Sequence, residues 1–136
     1  MSHDRLTIGD LARRTGVKVE TIRYYERIGM LPAPGRTPGN YRAYDAAHLA
    51  RLSFIRRARD LGFHLEQVRA LLALSEDARR PCAEVDEIAS AHLREIDAKL
   101  ADLEALRREL AAVVGRCRNG AAISECRIID ALGPRA

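Results

Sequence analysis

The chain has 136 residues, with 23 Lys plus Arg against 19 Asp plus Glu and a formal charge of +4, a length that fits a single compact domain and excludes a large multidomain enzyme. Hydrophobic residues make up 47% but aromatics only 4%, with no Trp, so the apolar material is mostly Ala, Leu, Val and Ile and favours helix over a β-sandwich. Residues 1–74 carry 13 basic and 7 acidic side chains and residues 75–136 carry 10 and 12, and this basic first half suggests a polyanionic partner.

In chain order, Thr7 to Arg14 places Ile8, Leu11 and Ala12 on one helical face, and Thr15-Gly16 supplies a turn. Val19 to Ile28 repeats the three-to-four spacing through Val19, Ile22 and Tyr25, with Gly29 and Pro32 as stop signals. Two short helices around a tight turn suggest a helix-turn-helix. Residues 32–44, PAPGRTPGNYRAY, hold three Pro and two Gly and read as a basic loop or small hairpin. Asp45 is a plausible N-cap for a helix from Ala46 to Leu61, which Gly62 ends, and a further helix runs from Leu65 to about Leu74.

Residues 75–82 turn polar around Pro81 and form the best boundary in the chain. From Ala83 to Val114 there is no Gly or Pro, and Ala89, Leu93, Ile96, Leu100, Leu103, Leu110 and Val114 recur at steps of four and three, interrupted at Arg107, where Leu106 covers the gap. Such a helix is about 48 Å long and its narrow apolar seam needs a partner helix. Gly115 closes it, a loop follows, and Ile128 to Leu132 form a last turn. No run approaches the roughly 20 apolar residues of a membrane span, and MSHDRLTIGD has no signal core, so a cytoplasmic protein is expected.

Three cysteines, Cys82, Cys117 and Cys126, do not suit a disulfide framework. Cys82 opens the long helix while Cys117 and Cys126 follow its end, so the first two lie about 50 Å apart in one chain, whereas a metal–thiolate bond spans only about 2.3 Å. Two antiparallel copies of the helix bring Cys82 of one beside Cys117 and Cys126 of the other, and the same pairing covers the apolar seam. Soft sulfur ligands select thiophilic ions: a trigonal three-thiolate site suits mercury(II) or lead(II), and zinc needs a fourth ligand such as Glu125, Ser124 or water. Incidental thiols, or a reversible Cys117–Cys126 disulfide, are the alternatives. His3, His48, His64 and His92 are isolated and read as surface or interface residues. No nucleophile with a neighbouring base, phosphate loop or HExxH pair is present, so no enzyme is expected.

The segments LTIGDLARRTGV, VETIRYYERIGML, GNYRAY and RARDLGFHLEQVRALLAL, followed by the long helix and its cysteine loop, resemble the MerR family of transcription regulators over nearly the whole chain. The cysteine pattern is similar to that of the divalent-metal sensors, most of all the mercury-responsive branch, with lead- and cadmium-responsive members close to it. The resemblance implies a mainly α protein with a winged helix-turn-helix DNA-binding domain over 1–74, a linker over 75–82, a dimerisation helix over 83–115 forming an antiparallel coiled coil, and a metal-binding loop and terminal turn over 116–136. It implies a homodimer on a two-fold promoter operator that represses without metal. With a thiophilic divalent ion as effector (Hg2+ favoured, Pb2+, Cd2+ or Zn2+ as alternatives), it distorts the DNA so that RNA polymerase engages. Thr21, Arg23 and Tyr24 are expected in the major groove, with Arg23 reading guanine. Arg36, Tyr41 and Arg42, helped by Tyr25 and Arg56, are expected on phosphates, with packing residues that carry a hydroxyl handle as the competing reading of Tyr25 and Tyr44. Cys82 from the partner protomer, Cys117 and Cys126 are the expected metal ligands. A cytosolic metal-binding or thiol-redox dimer with an incidental basic half is the competing reading.

Overall fold

A computed structural model describes residues 5–39, 41–116, 120 and 122–134. The elements are α1 (Ile8–Thr15), α2 (Val19–Arg27), β1 (Gly35–Arg36), β2 (Arg42–Ala43), α3 (Ala46–Asp60), α4 (Leu65–Ser75), α5 (Ala83–Val114), a 3₁₀ turn over Ile123–Glu125 and α6 (Arg127–Leu132). The chain divides into two compact units, Met1–Ile88 and Ala89–Ala136.

In the first unit, α1 starts at a capping box: the Asp10 N–H donates to Thr7 Oγ1 at 3.0 Å and the Thr7 N–H to Asp10 Oδ2 at 2.9 Å. It ends at Gly16, whose φ of 75° lets its N–H reach the Ala12 carbonyl at 2.8 Å. α1 packs on α2 and on α3, and α3 on α4. Leu11, Ile22, Met30, Leu31, Tyr44, Leu52, Ile55 and Val68 are the largest fully buried side chains. They come from nearly every element of the unit, so no one helix buries its apolar face alone. The proline-rich segment forms a two-stranded antiparallel hairpin, pairing Gly35 with Ala43 and Arg36 with Arg42. Leu6 and Tyr44 add one further antiparallel bridge, exchanging hydrogen bonds of 2.7 and 2.9 Å, which ties the chain start to the hairpin base.

Of the histidines expected at the surface or an interface, His48 and His92 are buried within one protomer. His48 is buried because it is the third residue of the α3 capping box. Its N–H donates to Asp45 Oδ1 at 3.0 Å, its Nδ1 lies 2.9 Å from the same carboxylate, and its Nε2 lies 3.1 Å from the Pro32 carbonyl. The sequence pattern of an acidic cap had hidden this, since His at that position is an unusual partner for Asp. His92 is also buried, with Nδ1 3.9 Å from Glu95 Oε2. It sits one turn after Ile88, on the same face of α5 and off the apolar seam.

α5 is unbroken for 32 residues, as the absence of Gly and Pro requires. Its seam is bare within one protomer: Leu100 is 53%, Leu103 61% and Leu110 62% exposed. At the end of the second unit, Leu106, Leu110 and Val113 of α5 and Ala131 and Leu132 of α6 line one open groove. No helix among the described residues is long and apolar enough to cross a membrane.

Candidate functional site: a DNA-reading face and two thiols

α2 divides cleanly along its length. Ile22 and Tyr25 point into the core, while Glu20, Arg23, Tyr24 and Arg27 are exposed at helical spacing of three and four. Arg27 lies over the Tyr24 ring, 5.7 Å from its centroid, which holds both side chains outward. Of the residues expected to read DNA, Arg23 and Tyr24 stand on this face and Thr21 at its half-buried margin. Lys18, at the N-cap of α2, is exposed as well. Lys18 and Arg27 were overlooked in the sequence, although Arg27 follows Arg23 by four positions and so shares its face.

Of the two readings of Tyr25, phosphate contact and packing with a hydroxyl handle, its burial favours the second. Its ring is 7% exposed and belongs to the hydrophobic core, because the i, i+3 step from Ile22 aims it inward. In the hairpin, Arg36, Tyr41 and Arg42 are exposed, Tyr41 by 75%. Arg42 is also paired: its Nη1 donates to Glu26 Oε2 at 3.1 Å, while Tyr44 Oη donates to Glu26 Oε1 at 2.5 Å. One carboxylate of α2 thus holds the first residue of β2 and the residue just after the strand, fixing the hairpin against α2. Burial, reinforced by the Glu26 hydrogen bond, pushes the Tyr44 phenol up to about 12.

Several arginines of the basic half act inside the fold. Arg56 donates from Nη1 to the Thr15 carbonyl at 3.1 Å and from Nε to both Asp60 oxygens at 3.1 Å. Arg69 donates to the Ile28 carbonyl at 2.9 Å, and Arg51 to that of Met30 at 2.6 Å. Guanidinium groups from α3 and α4 therefore satisfy carbonyls left open at the ends of α1 and α2. Charge counting alone assigned this positive surplus to a ligand, and side-chain reach decides otherwise for these three. At the cap of α3, hydrogen bonds from the His48 N–H and side chain hold the Asp45 carboxyl below the ordinary carboxylate range.

The thiols of Cys82 and Cys126 are free, the first exposed and the second half-buried. The Cys82 carbonyl accepts the Asp86 N–H at 2.9 Å and opens α5, and the Cys126 carbonyl accepts the Asp130 N–H at 3.0 Å and opens α6. Cys117 lies outside the described residues. Among the described residues of one protomer, no three His, Cys, Asp or Glu side chains come together as a metal-binding group.

Two family descriptions match the chain: "MerR HTH family regulatory protein" over residues 6–75 and "MerR, DNA binding" over residues 49–113. The chain belongs to the MerR family. Like the rest of that family it is a DNA-binding transcription regulator and not an enzyme. It is 38% identical to the heavy metal-dependent transcription regulator 2 of Rhizobium meliloti (strain 1021), over 92% of this chain and 84% of that one. It is 38% identical to the mercuric resistance operon regulatory protein of Bacillus cereus, over 94% and 97%. Its fold is similar to the crystal structure of the transcription regulator PbrR691 from Ralstonia metallidurans CH34 in complex with lead(II). There the TM-score is 0.81 at 38% identity, covering 94% of this chain and 99% of that one. The mainly helical winged fold expected from the sequence is the one found.

Proposed function

We propose that this MerR-family protein is a metal-responsive regulator that acts in the cytoplasm as an antiparallel homodimer on a two-fold promoter operator. The observation that carries this reading is the bare apolar seam of α5, with Cys82 just before the helix and Cys117 and Cys126 after it. An exposed stripe of this length calls for a second helix, and a second copy in antiparallel register supplies the missing thiolate. The proposed organisation is a DNA-binding domain over 1–74, a linker over 75–82, the dimerisation helix over 83–115 and the metal-binding segment over 116–136.

The donor set fits a thiophilic divalent ion, since the described cysteines are free thiols and sulfur is a soft ligand. A bound ion would join Cys82 of one protomer to Cys117 and Cys126 of the other and so fix the register of the two α5 helices. Mercury(II) is the favoured effector, supported by the three-thiolate count and the mercuric resistance relative. Lead(II), supported by the lead-bound structural relative, comes next, with cadmium(II) and zinc(II) after it.

On the DNA side, Thr21, Arg23 and Tyr24 enter the major groove, with Arg23 on a guanine edge. Arg36, Tyr41 and Arg42 of the hairpin hold phosphates and set the register. Arg56 serves a phosphate only as far as its bonds to Thr15 and Asp60 allow. The metal-free dimer represses, and the metal-loaded dimer changes the twist of the operator so that RNA polymerase reaches both promoter elements.

Titrating the reduced protein with mercury(II), lead(II), cadmium(II) and zinc(II), while following sulfur-to-metal charge-transfer absorption, tests the site. One ion per protomer is expected, with binding collapsing in Cys82→Ser while operator binding persists. Full metal binding by Cys82→Ser overturns the shared site.

A further inference from the structure

We infer that Arg51 and Glu76 form the mechanical link between the Cys82 segment and the exit of the reading helix, acting as positioning residues for the metal response. The inference rests on Cys82 being a metal ligand.

The geometry lies wholly within the first compact unit. Arg51, on α3, has two partners on opposite sides: Nε donates to the Met30 carbonyl at 2.6 Å and Nη1 to Glu76 Oε1 at 2.6 Å. Met30 is, with Leu31, fully buried in the turn by which α2 leaves for the hairpin, and its N–H is held by the Tyr25 carbonyl at 2.9 Å. One turn earlier on α3, His48 Nε2 holds the Pro32 carbonyl at 3.1 Å. The carbonyls on both sides of Leu31 are therefore fixed from the same face of α3, but only Arg51 also reaches Glu76, at the C-cap of α4.

From Glu76 to Cys82 the chain is a run of bonded turns. The Asp77 N–H donates to the Leu74 carbonyl at 3.2 Å, the Arg80 N–H to the Asp77 carbonyl at 3.1 Å, and Arg80 Nη2 to both Glu84 oxygens at 2.5 and 2.7 Å. Residues 77–81 connect Glu76 to Cys82 and these bonds brace them, so a displacement imposed at Cys82 has a short path to Glu76 and, through one guanidinium, to the turn that follows α2. An Arg with two carboxylate or carbonyl partners transmits direction as well as force, because its donors are held in one plane. The Glu76 side chain is 63% exposed, so the link adds little to stability and its service is positional.

The test uses the full-length dimer on an operator selected from random DNA by the unsubstituted protein, with 2-aminopurine at its centre to report unstacking when mercury(II) or lead(II) is added. Glu76→Ala is expected to bind metal, seen by charge-transfer absorption, and to bind the metal-free operator within about two-fold of the unsubstituted protein. Its metal-induced fluorescence change should fall at least five-fold, in the range of ordinary coupling between sites. Arg51→Lys, which reaches one acceptor at a time, should show the same split. A full fluorescence response in Glu76→Ala overturns the link. If the unsubstituted protein itself shows no metal-dependent change, or Cys82→Ser responds normally, the metal-site reading fails and takes the link with it.

Discussion

Gly16 closes α1 with a φ of 75°, and a Cβ placed there would lie 2.6 Å from Arg56 Nη1, the atom that holds the Thr15 carbonyl. Gly16→Ala therefore combines left-handed backbone strain with displacement of that guanidinium, and is expected to cost about 1–2 kcal/mol in urea unfolding. Gly9→Ala is the control: a Cβ there meets only Arg13 and Thr7 side-chain atoms at 3.5 and 3.6 Å, and stability should hold or rise. Tyr44 gives a pH signature. Its folded-state pKa is raised from 10.0 to about 12, so the neutral phenol is favoured by folding. The stability it contributes is complete below pH 10 and is lost as pH rises toward 12. In Tyr44→Phe, the unfolding free energy from urea titration should start about 1–2 kcal/mol lower near pH 7 and fall less steeply between pH 10 and 12. An unchanged slope would remove Tyr44 from the alkaline transition.

The buried face of α2 serves the fold, and its exposed face is the one proposed to read DNA. Ile22 is fully buried, and Ile22→Ala is expected to cost about 2–5 kcal/mol of stability. Arg23 is exposed on the opposite side, and Arg23→Ala should leave the melting temperature within about 2 °C. Its operator affinity should fall by about 1–3 kcal/mol, with relaxed preference at one base position. Loss of affinity that is equal for every sequence would reassign Arg23 to a phosphate. Glu26 joins the hairpin to α2 through Arg42 and Tyr44, so the two form one surface, the one proposed to meet DNA. The residues of this junction were visible in TIRYYE and NYRAY, but not the junction itself, since Glu26 and Tyr44 are 18 positions apart and nothing local specifies their meeting.

α5 carries an apolar seam whose leucines stay exposed among the described residues of one protomer. Placing a charge in its middle, Leu100→Glu, is expected to convert the dimer to monomer at micromolar concentration in sedimentation, because a carboxylate has no partner in an apolar interface. The first compact unit, with its own core, should keep its helical signal. Persistence of the dimer in Leu100→Glu would place the interface on another surface.

Helix positions, the turn at Gly16, the hairpin and the 32-residue α5 were legible in the sequence because each follows from local rules: spacing of apolar residues, capping side chains, and the conformational limits of Gly and Pro. The cysteine spacing calls for a second protomer only on the proposed reading that Cys82, Cys117 and Cys126 share one ion, as a rise of 1.5 Å per residue cannot be shortened. Tertiary structure decided what depends on contacts between distant positions. It moved Tyr25 into the core, buried His48 behind its own cap, and assigned Arg51, Arg56 and Arg69 to carbonyls inside the fold. A long side chain has the same charge and the same local pattern whether it faces solvent, DNA or a helix end. Which of these it meets is set only when the elements pack.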